Sequence, residues 1–294
     1  MAPVIKTDAR SNVIGALWMV AAMIGFAVED MFLKVASATV PIGQVLVIFG
    51  AGGALLFAIA ARVRSAPLRN PQILSRPMIV RACFEAFGRL FYVLAIALST
   101  LSSATAILQA TPIVVVAGAA VFFGEKVGIR RWAAIFVGLI GVMIVLRPTA
   151  SSFDVFSVFA VLGMLGFAGR DLATRAAPVS LTTSVLGFYG FLAIIVAGLL
   201  YSVWNGVPFV IPNLMATGAL GGAIVWGVLA YSGLMMAMRV GEVSVVTPFR
   251  YSRLLVGLGF GVLVFNETLD TATLLGCGLI VASGLYILAR GRRA

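Results

Sequence analysis

The chain has 294 residues, of which 62% are hydrophobic and only 11% charged, with a net charge of +11 and no histidine. A soluble domain is about 45–50% apolar and about 25% charged, so a water-soluble fold of this size is excluded. The lack of histidine removes His-ligated zinc, Ser-His nucleophiles and histidine proton relays, and Cys83 and Cys277 both fall inside apolar runs, so neither a disulfide nor a metal site is expected.

In chain order the apolar runs fall at 13–33, 42–61, 78–98, 102–123, 131–147, 156–174, 182–203, 213–238, 243–265 and 271–289. Each is near the length that crosses a hydrocarbon core of about 30 Å as a helix. The predicted fold is therefore an all-α polytopic membrane protein with ten transmembrane helices. The first run ends in Glu29 and Asp30 and lacks a small-residue cleavage pattern, so it is read as a retained helix and not a signal peptide. Short connections carry proline or charge, as at Pro41, Pro67, Pro71, Pro77, Pro148, Pro178, Pro208 and Pro212.

Orientation follows from the lysines and arginines. With the N-terminus in the cytoplasm, fourteen of the 21 fall in inner segments, two (Lys34 and Arg147) in outer segments, and five inside helices: Arg81, Arg89, Arg170, Arg250 and Arg253. The positive charge is thus read as membrane topology. A nucleic-acid partner is not expected, because the basic groups form no aromatic-interleaved patch.

The chain also repeats itself. MIGFAVEDMFLK (23–34) resembles MLGFAGRDLATR (164–175), sharing Met23/Met164, Gly25/Gly166, Phe26/Phe167, Ala27/Ala168 and Asp30/Asp171, with Lys34 matching Arg175 in charge. A similar spacing relates Glu125 to Glu267. Two units follow, 1–150 and 151–294, each of five helices. Five is odd, so the second unit is inverted relative to the first, an architecture typical of secondary transporters.

Paired five-helix units resemble the drug/metabolite transporter superfamily, in its ten-helix bacterial exporter branch. The residues that carry the resemblance are ILQATPIVVVAGAAVFFGEKVGIRRWAAIFVGLIGVMIVL (107–146) and VVTPFRYSRLLVGLGFGVLVFNETLDTATLLGCGLIVASGLYIL (245–288). Within that branch the chain is most similar to inner-membrane exporters of aromatic and neutral amino acids. The resemblance implies a central cavity lined by helices 1, 3, 4, 6, 8 and 9, with helices 5 and 10 peripheral. The second unit departs from the pattern: its motif reads NET, with Asn266 in place of glycine.

A charge at mid-membrane costs about 2.5–3.5 kcal/mol on insertion scales, so intramembrane charges should face protein or water. Met23, Phe26, Asp30 and Lys34 form one helical stripe, and Met164, Phe167, Asp171 and Arg175 repeat it. Two readings stand for these acids: gates at opposite mouths of one cavity, or local ion pairs with Lys34 and Arg175 at helix ends. Glu29 is read as a solvated end residue. On the third helix, Arg81, Glu85, Arg89 and Tyr92 share a face. There Glu85 either balances both arginines while Arg89 meets a substrate carboxylate, or the set braces the helix. Arg250 and Arg253 on the ninth helix are partners for Asp171 and Glu85.

Gln109, Pro112 and Pro248 mark expected kinks. Met23, Phe26, Arg89, Tyr92, Gln109, Met164, Phe167, Trp226 and Tyr251 are read as lining the substrate cavity, Asp30, Lys34, Arg81, Glu85, Asp171, Arg175, Arg250 and Arg253 as gate or coupling charges, and Trp18 and Tyr231 as packing or interfacial residues. Gly218/Gly222 and Gly257/Gly261 have close-packing GxxxG spacing.

The functional expectation is a secondary exporter of aromatic and other neutral amino acids, working by alternating access as a monomer in the bacterial inner membrane, with both termini cytoplasmic. A multidrug or other metabolite exporter, or a channel-like pore, is the alternative. No cofactor is expected, and no GxxxxGK[ST] loop, HExxH or GxSxG motif supports an ATPase or an enzyme.

Overall fold

A computed structural model describes residues 9–98, 104, 107–147, 156–265 and 270–291. Lys6, Pro148, the Asn266–Glu267 motif, Arg292 and Arg293 lie outside them, and the side-chain surroundings at Gly257 and Gly261 are also outside the description. Ten helices of 13 to 29 residues are present among the described residues. They are α1 (Ala9–Ser37), α2 (Ile42–Val63), α3 (Arg76–Leu98), α4 (Thr111–Phe123), α5 (Ile129–Leu146), α6 (Ser157–Ala176), α7 (Thr183–Asn205), α8 (Leu214–Val240), α9 (Ser252–Phe265) and α10 (Thr271–Gly291). Seven are long and apolar enough to cross a membrane; α3 carries four charged residues, and α4 and α9 are short.

The helix ends follow local chemistry. Thr182 accepts from the Val185 N–H to cap α7, and Asn213 accepts from the Ala216 N–H to cap α8. Gly124 and Gly206 close α4 and α7 in the left-handed conformation, each at φ 66°. A turn at Gln109 and Ala110 separates helical residues 107 and 108 from α4, and Pro112 stands in the first turn of α4, where a missing N–H costs nothing. Pro248 does interrupt its segment: a short turn, Val243–Val246, passes through a 3₁₀ stretch, Thr247–Tyr251, before α9 begins.

Helix pairing carries the signature of the repeat. α1 packs on α8, α3 on α6, α2 on α7 and α5 on α10, while α1 also meets α9 and α4 meets α6. Exchanging each helix with the one five later maps this set onto itself. The shared repeat glycines mark the crossings. A Cβ on Gly25 would lie 2.8 Å from the Ala230 Cβ, and one on Gly166 would lie 2.3 Å from the Gly88 Cα. Only glycine permits the second approach, which sets Glu85 and Arg89 of α3 beside Arg170 of α6.

Polarity is inverted relative to a soluble protein. Leu17, Leu55, Leu200 and Leu229 are exposed on the perimeter, whereas nine charged side chains are buried. Such a surface suits hydrocarbon and not water. Tyr201 and exposed Trp204 lie together with tilted rings at the end of α7, a placement typical of aromatic residues at a membrane interface. The α5–α10 pair is peripheral and is tied at one end by Arg147 and Asp270. The Arg147 guanidinium, with the Thr273 side chain and N–H, holds the exposed Asp270 carboxyl well below the usual carboxylate range. Gly222 packs against Phe32 of α1, while Gly218 faces open space, so that GxxxG pair joins helices at one position only.

Candidate functional site

The nine buried charged residues are Glu29 and Asp30 of α1, Arg81, Glu85 and Arg89 of α3, Arg170 and Asp171 of α6, and Arg250 and Arg253 near the start of α9. Eight of them form ion pairs, and Arg81 joins them through Tyr231. Arg89 donates to Glu29 at 2.5 Å. Arg253 pairs with Asp30, which also accepts from the Tyr92 hydroxyl at 3.2 Å. Arg170 lies 2.9 Å from Asp171 and 3.4 Å from Glu85, and Arg250 pairs with the other Asp171 oxygen. Tyr231 donates to Glu85 and accepts from Arg81 at 2.6 Å. The remaining Arg81 donors reach the Thr174 hydroxyl and the Leu186 carbonyl, both at 3.0 Å.

Where these pairs converge lies a cavity of about 20 Å³ lined by Phe26, Asp30, Arg89, Tyr92, Leu108, Phe167, Arg170, Arg250 and Arg253. Every lining residue is buried, and the volume is about that of one water site. Guanidinium groups lie over the aromatic walls: Arg170 is 4.8 Å from the Phe167 ring centre, Arg253 5.6 Å from Phe26 and 5.7 Å from Tyr92. A larger cleft of about 240 Å³ among α1, α9 and α10 is walled almost wholly by apolar residues, and its Leu285 and Val281 are exposed. It has the character of a lipid-facing groove and offers no ionic chemistry.

Several expectations change. Glu29 is fully buried and paired with Arg89, not solvated, because α1 runs on to Ser37 and keeps it inside the bundle. The partners of Asp30 and Asp171, Arg253 and Arg250, line one cavity. Neither acid takes the base four residues further along its helix: Lys34 reaches the Ile96 carbonyl, Arg175 reaches carbonyls at 238, 239 and 241, and Asp171 pairs instead with neighbouring Arg170. Glu85 joins Arg170 and not Arg81 or Arg89. Trp226 is 37% exposed on the perimeter, away from the lining. Tyr251 is buried behind the site, donating to the Ile135 carbonyl and packed over Gly138. Met23, Met164 and Gln109 are buried beside the site without lining it. Tyr231, read as packing, is part of the ionic network. The missed signal for Glu29 and Arg170 was their equivalence in the repeat: opposite charges at matched positions, each before a shared aspartate.

Residues 13–147 match the EamA-like transporter family. The chain is 29% identical to the pseudopaline exporter CntI of Pseudomonas aeruginosa over 95% of its own length and 97% of the relative's. It is 26% identical to the riboflavin transporter of Vibrio cholerae, over 93% and 92% of the two chains. It is 24% identical to the S-adenosylmethionine uptake transporter of Rickettsia bellii, over 77% of each. A crystal structure superposes at a TM-score of 0.77 with 19% identity, covering 98% of this chain and 99% of that one, a likeness of fold alone. The first half of the chain is thus similar to the EamA-like transporter family, and nearly the whole chain to relatives named as transporters of small metabolites. They do not single out aromatic amino-acid exporters, the finer resemblance read from the sequence.

At one end of the bundle a second polar cluster joins the units. Arg131 pairs with Glu242 and donates to Ser244 at 2.8 Å. Glu125 accepts from the N–H groups of Val243 and Ser244 at 3.3 and 3.2 Å, and the Asn12 amide oxygen accepts from Glu242 N–H at 2.8 Å. Arg175 lies 3.9 Å from Glu125. This cluster clamps the connection between α8 and α9 to the α4–α5 loop. It gives Glu125 a structural task as a cap of the turn at Val243, where backbone donors would otherwise be orphaned.

Proposed function

We propose that the chain is a secondary transporter that exports small organic metabolites, aromatic and other neutral amino acids among them, by alternating access. The units 1–150 and 151–294 rock about the central site, in the bacterial inner membrane, with both termini cytoplasmic and the monomer as the working unit. The observation that carries this reading is the buried cavity at the convergence of both units, walled by aromatic rings and by charges of both signs. A pocket for a metabolite needs about 300 Å³ or more, whereas this cavity holds about one water, so a solute enters only if helices part. Cross-unit ion pairs, Arg253 with Asp30 and Arg170 with Glu85, are the contacts that such a motion exchanges. A chain built to rest closed and open by turns fits a carrier better than a pore.

The test is flux into proteoliposomes with labelled amino acids, alongside pseudopaline, S-adenosylmethionine and riboflavin as solutes of the relatives. Saturable exchange of an amino acid supports the reading. Saturable exchange of another metabolite alone moves the substrate and keeps the mechanism. Unsaturable flux at channel rates rejects the carrier.

A further inference from the structure

The buried network does not balance. Among the described residues five buried guanidinium groups face four buried carboxylates, a formal surplus of one positive charge among side chains shielded from water. The surplus belongs to one branch. Arg89 with Glu29 and Arg253 with Asp30 are neutral pairs. The other branch runs from Arg81 through Tyr231, Glu85, Arg170 and Asp171 to Arg250, three cations to two acids, and its last member lines the cavity. Uncompensated charge in such surroundings is costly, and a ligand of opposite sign removes the cost.

Donors on the same wall are open. Arg89 and Arg250 are 2% and 7% exposed, and the Nε of each finds no acceptor among the described residues. Acceptors for a ligand's ammonium are scarce. Among the described residues one carboxylate lies on the cavity wall, Asp30, and it already serves Arg253 and Tyr92. Glu29 Oε2 also lacks a partner among the described residues, but that carboxyl group lies against Phe49 and Gly227 and not on the wall.

We propose that the site reads the carboxylate of its substrate: Arg89 and Arg250 hold an organic monoanion with an apolar or aromatic body, and an ammonium group on that substrate is dispensable. This rests on the transporter reading above and deepens it. One ionised carboxylate cancels the surplus. A phosphate monoester, carrying about −1.5 to −2 at neutral pH, would overshoot it. The rings of Phe26 and Phe167 complete the wall for the apolar body.

The experiment uses the full chain, purified and reconstituted, with four matched probes: phenylalanine, 3-phenylpropionate, phenethylamine and phenylalaninamide, and the same set built on leucine. Binding is read by thermal stabilisation and by inhibition of counterflow. The two carboxylates of each set are expected to bind at least tenfold more tightly than the amine and the amide. Arg250→Gln is expected to weaken carboxylate binding at least tenfold and to erase the distinction between acid and amide. Should that variant fail to fold, the wild-type series decides alone. Equal binding of the amine or the amide overturns the proposal, as does a strict need for the ammonium. Failure of every carboxylate also overturns it, whereas the transporter reading falls only if no solute of the wider panel moves either.

Discussion

Removing the Glu29 charge gives the sharpest test of the buried network. Glu29 is fully buried and its Oε1 holds Arg89 at 2.5 Å, while the Arg89 guanidinium also lies 5.0 Å from the Phe49 ring centre. Glu29→Gln leaves a buried cation with no carboxylate. Breaking one side of such a pair costs about 3–5 kcal/mol, and at about 2–3 °C per kcal/mol for a chain of this size it lowers the unfolding temperature by roughly 6–15 °C. Replacing both partners, as Glu29→Met with Arg89→Met, removes both charges and is expected to recover most of that loss, because two apolar side chains need no counter-ion. The assay is thermal unfolding of the purified protein in one detergent, with the four chains of a double-mutant cycle measured together. A solvated helix-end glutamate would change stability by less than about 0.5 kcal/mol. A single variant as stable as the wild type, or a double variant as unstable as the worse single, refutes the buried pair.

Asp30→Asn leaves Arg253 without its carboxylate at the cavity wall, and Asp171→Asn does the same to Arg250; each is expected to lower transport at least tenfold at normal membrane insertion, and wild-type rates in both would remove the network from the mechanism. Gly166→Ala places a methyl group into the α3–α6 crossing and should destabilise by about 1–3 kcal/mol, whereas Gly218→Ala meets open space and should be neutral or gain up to about 1 kcal/mol, both read by thermal unfolding. At the second cluster, Arg131→Gln weakens the clamp on Glu242 by about 1 kcal/mol. In a chain whose Cys83 and Cys277 are replaced by serine, labelling of an introduced Asn12→Cys should then quicken about fivefold, and an unchanged rate would show that the clamp holds nothing shut.

Hydropathy alone located ten helices, because most are apolar over nearly the thickness of a bilayer whatever they pack against; α4 and α9 are shorter than their apolar runs. The repeat was legible for the same local reason: Gly25/Gly166 and Asp30/Asp171 stand at matched places in matched helices, and the pairing of helices obeys that match. Partner choice was not legible. A helical stripe says that Asp30 and Lys34 share a face, but Arg253, 223 positions further on, is nearer in space and wins the carboxylate. The aromatic residues show the same limit, since composition cannot say which of Trp226, Tyr231 and Tyr251 turns inward; helix rotation does, and it turned Tyr231 to Glu85 and left Trp226 on the perimeter. Sequence by itself determined where the helices lie, that their pattern is duplicated, and that charges lie among them. The tertiary structure decided which charges meet, because ion pairing depends on a few ångströms between helices remote in the chain, and those separations arise from close crossings such as Gly88 on Gly166.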